Sequence, residues 1–318
     1  MNGLPWFRAA LAGLLMLSPW AARQDDPPQP EKKEDARFTA KVEQVVLYVS
    51  VYGADSQLVS NLTRNDFTVF EDKIEQQITY FGLDDVPSTI GVVMDSSGSM
   101  RGKVDMVNSA TQKFLDQNHP QNELFLIDFK GEASLEEDFT RDPLDIRDAL
   151  DNIIISGGTA LYDAIFLGVD QAREGHEAKK AILVFTDGED KDSYYQQHEL
   201  LDKIRESDVQ VYIVAFLDAD LSEGKGIFGL FKSQREKVER EITAFADTSG
   251  GKAFFPEDTQ QLDEVFSTIA RELRSQYRLA YTPVNKNRDG QWRDIDVVVQ
   301  GARERNLKVR TRKGYYAK

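Results

Sequence analysis

Apolar and polar positions change their period twice along this chain. Residues 42–52 are rich in β-branched and aromatic side chains and predict a long strand, with Gly53-Ala54-Asp55-Ser56 as a turn. Stretches 66–74 and 77–81 alternate like a hairpin closed around Asp72-Lys73. From Thr89 the apolar residues fall instead into short continuous runs separated by helical periods. These predict strands at 89–94, 123–129, 133–139, 179–185, 209–216 and 252–255. Helices are predicted between them at 103–117, 143–152, 160–173, 197–206, 235–247 and 258–275. Alternation returns at 277–283, 293–299 and 307–312. The middle pattern is that of an α/β fold, a doubly wound, mostly parallel, Rossmann-like sheet with helices on both faces. A hairpin through Lys130-Gly131 would add one antiparallel edge strand. A tail as short as 276–318 cannot bury a core alone. It is therefore expected to pair with 37–86 in a small β-sandwich-like module, with 87–275 inserted between them.

The N-terminus reads as a segment apart. Arg8 precedes the apolar run from Ala9 to Leu17 and then Ser18-Pro19-Trp20-Ala21-Ala22, which predicts an export signal over 1–22. Cleavage near Ala21 or Ala22 is expected, although Pro19 and Trp20 depart from small-residue recognition positions, so an uncleaved signal anchor stays open. Stretch 23–36 is proline-rich and charged, and predicts a disordered linker. No later run is long enough to span a bilayer, so no membrane insertion is expected once the signal is removed. The reading is an exported protein, periplasmic or secreted.

Composition narrows the partners. The 318 residues carry a formal charge of −15 and no cysteine, with a pI near 4.8. That balance argues against a nucleic-acid or anionic-membrane partner, and the missing cysteine excludes a disulfide framework.

Candidate chemistry sits at the ends of the predicted strands. Gly91-Val92-Val93-Met94 runs into Asp95-Ser96-Ser97-Gly98-Ser99, placing one carboxylate and two hydroxyls at alternating positions. Gly157-Gly158-Thr159 delivers a further hydroxyl before a helical period, and Phe185-Thr186-Asp187-Gly188 ends another strand in a carboxylate. In a parallel sheet such loops gather at the carboxyl edge, near the switch in strand order. Hard oxygens without His or Cys suit Mg²⁺, Mn²⁺ or Ca²⁺ rather than zinc.

The set Asp95, Ser97, Ser99, Thr159 and Asp187 resembles the metal-ion-dependent adhesion site of the von Willebrand factor A (VWA) family, D-x-S-x-S followed by T and D-G. The resemblance implies a divalent cation, Mg²⁺ foremost, ligated directly by Ser97, Ser99 and Thr159, with Asp95 and Asp187 acting through water. It also implies a protein partner that offers an Asp or Glu carboxylate to the ion. The whole chain resembles an exported bacterial branch of that family seen in acidobacteria. The residues carrying this are Leu62-Thr63-Arg64-Asn65-Asp66-Phe67-Thr68-Val69-Phe70-Glu71-Asp72, Tyr277-Arg278-Leu279-Ala280-Tyr281-Thr282-Pro283 and Arg312-Lys313-Gly314-Tyr315-Tyr316.

Asp163, one turn after Thr159, is either an outer orienter of the ion or an ordinary first-turn acid. Glu189, Asp190 and Asp192 form a solvated charge run or a second cation site. Stretch 218–232 is expected to be a loop whose Ile227, Phe228, Leu230 and Phe231 either tuck onto the domain or contact a partner. His119, His176 and His198 share no ligand spacing, the serines lack a G-x-S-x-G elbow, and no base is placed for metal-assisted hydrolysis. The reading is therefore a non-enzymatic, ion-dependent binding protein. The alternative is an envelope scaffold in which the ion only stabilises the fold.

Overall fold

The computed structural model describes residues 44–83, 85–217, 228–302 and 306–318, with side chains between 228 and 234 left aside. The predicted signal, the linker and Ile227 lie outside the described residues. Val42–Lys318 forms one compact unit. Its first strands are β1 (Val45–Tyr52), β2 (Phe67–Glu71), β3 (Ile74–Gln76) and β4 (Ile78–Gly82). Then come β5 (Ser88–Asp95), α1 (Val104–Gln117), β6 (Glu123–Phe129), β7 (Ala133–Thr140), α2 (Pro143–Asp151) and α3 (Leu161–Glu174). These are followed by β8 (Lys179–Thr186), α4 (Gln197–Glu206), β9 (Gln210–Ala215), α5 (Phe228–Ser249), β10 (Ala253–Phe254) and α6 (Thr259–Arg274). Strands β11 (Tyr277–Tyr281), β12 (Trp292–Val299), β13 (Lys308–Arg310) and β14 (Gly314–Tyr316) close the chain.

The central sheet has the order β10-β9-β8-β5-β6-β7, parallel throughout except for β7 at one edge. Every residue of β5 is buried, as a strand covered on both faces must be. Its side chains divide between two cores. Val92 and Met94 pack with α1, α2 and α6 through Phe114, Ile146 and Phe266. Val93 packs on the other face with α3, α4 and α5 through Ile165, Leu200 and Phe245. Gly91 admits Phe125, whose ring would lie 2.1 Å from a Cβ at that position.

The outer strands form two antiparallel sheets, β13-β1-β11-β4 and β14-β12-β2-β3. Leu47, Val49, Leu279 and Tyr281 of the first share one core with Val69, Ile295 and Val297 of the second. Buried Glu71 joins the two by accepting from the hydroxyls of Tyr281 (2.8 Å) and Tyr315 (2.9 Å).

Three expectations are corrected. The Asp72-Lys73 turn is present, with φ of 48° and 67°, as a two-residue hairpin with the right-handed strand twist requires. However, only β3 returns along β2, and β4 crosses to pair with β11 in the opposite sheet. Likewise β13 and β14, read as one strand at 307–312 and an unassigned tail, lie in different sheets. The third concerns the apolar stretch near 230. Phe228, Leu230 and Phe231 belong to the start of the 22-residue helix α5 rather than to a loop.

Candidate functional site

Asp95 ends β5 with its side chain fully buried. One carboxylate oxygen accepts the backbone N–H of Ser97 at 2.9 Å, and the other accepts the hydroxyl of Thr186 at 2.8 Å. The Thr186 oxygen accepts in turn from Gly188 N–H at 3.0 Å, which sets the turn carrying Asp187. Gly188 needs its φ of 88° there, and a Cβ would strike Leu217 at 2.7 Å. The Ser97 and Ser99 hydroxyls lie 3.1 Å apart. Ser97 is buried and Ser99 is exposed, so the cluster opens to solvent on one side.

The second loop is laid along the first by backbone bonds. Ser156 N–H donates to Ser96 carbonyl at 2.9 Å, and Gly98 N–H donates to Gly157 carbonyl at 3.3 Å. Buried Thr159 follows at the start of α3. The third loop then caps that helix. Asp192 accepts Thr159 N–H at 2.8 Å, Asp190 accepts Tyr162 N–H at 3.2 Å, and the Ser193 hydroxyl accepts the N–H groups of Tyr162 and Asp163. These are the orphan donors of a helix start, met from another loop. Gly158 leaves room for the Asp192 carboxylate, which would lie 1.8 Å from a Cβ there. Asp163 accepts from Tyr194 N–H (2.9 Å) and Tyr195 N–H (3.0 Å), so its carboxylate ties the third loop to α3.

The electrostatics are those of an uncompensated acid. Burial pushes the Asp95 carboxyl up to about 6; Asp187 adds to that, while the Ser97 and Thr186 hydrogen bonds oppose it. Asp95 forms no ion pair with a described lysine or arginine. Among the described residues no three His, Cys, Asp or Glu side chains gather as a metal cluster. Any cation held here must therefore use hydroxyls as well as carboxylates, and the hard-oxygen donors at hand fit Mg²⁺, Mn²⁺ or Ca²⁺.

All five predicted positions thus lie on three interlocked loops at the carboxyl edge. Sequence reasoning passed over Thr186, which holds Asp95, and placed Asp192 only in a charge run or second cation site, whereas it holds Thr159 N–H. A hydroxyl closing the apolar run 181–185, directly before Asp187-Gly188, was the available signal for Thr186. Asp190 and Asp192, weighed as a second cation site, are engaged by backbone donors, and Glu189 pairs with Lys191 at 2.5 Å. Ile227 is outside the described residues, as are the side chains of Phe228, Leu230 and Phe231.

A doubly wound α/β domain with a polar loop cluster at its switch point is one class of ligand-binding domain. Residues 90–189 match the family model described as von Willebrand factor type A domain. A solved von Willebrand factor type A protein from Catenulispora acidiphila covers 83% of this chain and 71% of its own, at TM-score 0.50 and 12% identity. An aerotolerance-related membrane protein from Bacteroides fragilis is similar at TM-score 0.45 and 20% identity, over 58% of this chain and 98% of its own. An uncharacterized protein of Synechocystis is 32% identical over 108 residues, 33% of this chain. The match spans about a quarter of that relative's length, 26%. Among the described residues no helix is long and apolar enough to cross a membrane.

Proposed function

We propose that this is an exported, non-catalytic protein that binds a divalent cation through Asp95, Ser97, Ser99, Thr159 and Asp187 and uses it to grip an acidic residue of a protein partner. The observation that carries the reading is the buried Asp95 carboxylate, which pairs with no described lysine or arginine, is held on two sides and feels the charge of Asp187. When bound, the ion would supply an electrophilic position able to accept one external carboxylate. The chain's own part is orientation. Ser97 N–H and Thr186 fix both oxygens of Asp95, Asp192 fixes the peptide before the Thr159 side chain, and the exposed Ser99 leaves a solvent-facing approach. Mg²⁺ is favoured because two carboxylates and neutral hydroxyls suit a small octahedral ion that retains waters.

The test is affinity capture from the source's envelope and medium with wild type against Asp95→Ala, each with Mg²⁺ and with EDTA. A partner held only by wild type with Mg²⁺ supports the reading. Equal capture in all four arms, with chelation lowering only the melting temperature, would give the scaffold reading instead.

A further inference from the structure

Far from this site, a cavity of about 420 Å³ is walled by Tyr52, the 250–252 turn after α5, and the 308–313 segment. In a chain of net charge −15 its wall is basic, carrying Lys252, Lys308, Arg310 and Lys313 against a single acid, Asp247. Asp247 is already paired with Arg310, whose Nε also donates to Gly251 carbonyl at 3.2 Å. No described carboxylate pairs with Lys252, Lys308 or Lys313. Lys252 is instead held between two rings, 4.9 Å from the centroid of Tyr52 and 4.7 Å from that of Phe254. Burial lowers its pKa; Glu272 opposes this, while Arg310 and Lys308 lower it further.

Gly250, at φ 82°, lets the wall close to backbone contact, since a Cβ there would lie 2.5 Å from Arg312 N.

From these groups together we infer that the cavity is a binding site for a phosphate-bearing anion, held by Lys252, Lys308 and Arg310. Point-charge lysines beside a guanidinium suit a compact multiply charged oxyanion better than a single carboxylate. The source is either free phosphate or an esterified phosphate such as a lipid headgroup. A site between the 250–252 turn and the 308–313 segment would also clamp the two together.

The test is isothermal titration calorimetry of the full chain with inorganic phosphate and, separately, glycerol 3-phosphate, at constant ionic strength. Saturable binding of either is expected, weakened at least about tenfold in Lys252→Gln/Lys308→Gln. Preference for glycerol 3-phosphate would assign the esterified source, and preference for inorganic phosphate the free one. Lys308 is exposed, so Lys308→Gln alone, with unchanged melting, guards against a folding artefact. Absence of saturable binding to both, or binding indifferent to all these substitutions, would overturn the inference.

Discussion

Thr186→Val removes one hydroxyl and nothing else of comparable size, at a fully buried position. Two partners are stranded at once. Asp95 loses its 2.8 Å bond, and Gly188 N–H loses its 3.0 Å acceptor. A hydrogen bond to a charged group contributes ~1.5–3 kcal/mol, and an orphaned buried N–H costs ~1–3 kcal/mol. Valine fills the same volume, so no cavity cost is added. Because Asp95 keeps Ser97 N–H and the loop can shift slightly, the expected loss is about 3 kcal/mol. Thr186→Ser keeps the hydroxyl and loses one methyl, and should cost only ~1 kcal/mol. Urea unfolding at pH 7 in EDTA, followed by tryptophan fluorescence and far-UV circular dichroism, reads both values with the ion factor removed. If the valine variant falls within about 0.5 kcal/mol of wild type, or the serine variant is equally damaged, the hydroxyl does not hold the site.

Gly158→Ala places a Cβ at 1.8 Å from the Asp192 carboxylate, so Asp192 must leave Thr159 N–H; a loss of ~2 kcal/mol or more and weaker Mg²⁺ binding by calorimetry are expected. Asp163→Ala frees the amides of Tyr194 and Tyr195, whose hydrogen exchange should accelerate about tenfold while amides of β5 stay protected. Buried Lys179 has its pKa lowered to about 7, chiefly by burial, with Glu272 and Asp85 opposing. The unfolded chain, near 10.5, binds more protons through this window. Stability from this group therefore rises with pH, by about 2 kcal/mol between pH 7 and 9, and Lys179→Met should abolish that slope in urea titrations at the two pH values.

Period and strand-end chemistry made the central sheet legible, because the long parallel strands are continuous apolar runs and the loops of Asp95 and Asp187 each follow one, while that of Thr159 follows α2. Gly91-Val92-Val93-Met94 and Ile182-Leu183-Val184-Phe185 could be read as strands covered on both faces without any knowledge of neighbours. The site followed from the same logic, since a carboxylate closing such a run can only stand at the sheet's edge. What escaped was information that sequence distance hides. Nothing in the alternation of Ile78-Thr79-Tyr80-Phe81 says which of two sheets it joins. The partner is Tyr277–Tyr281, about 200 residues away, with Leu279 opposite Phe81 and Ala280 opposite Tyr80. The grips of Thr186 and Asp192 escaped for a related reason: they act on Asp95 and Thr159, which belong to other loops. Local pattern reports which way a residue faces, whereas the grip on a functional side chain is a long-range contact. The residues that position a site are thus harder to read than the residues that compose it. The strands flanking the domain show the same asymmetry, for Glu71, Tyr281 and Tyr315 meet only because two sheets share one core.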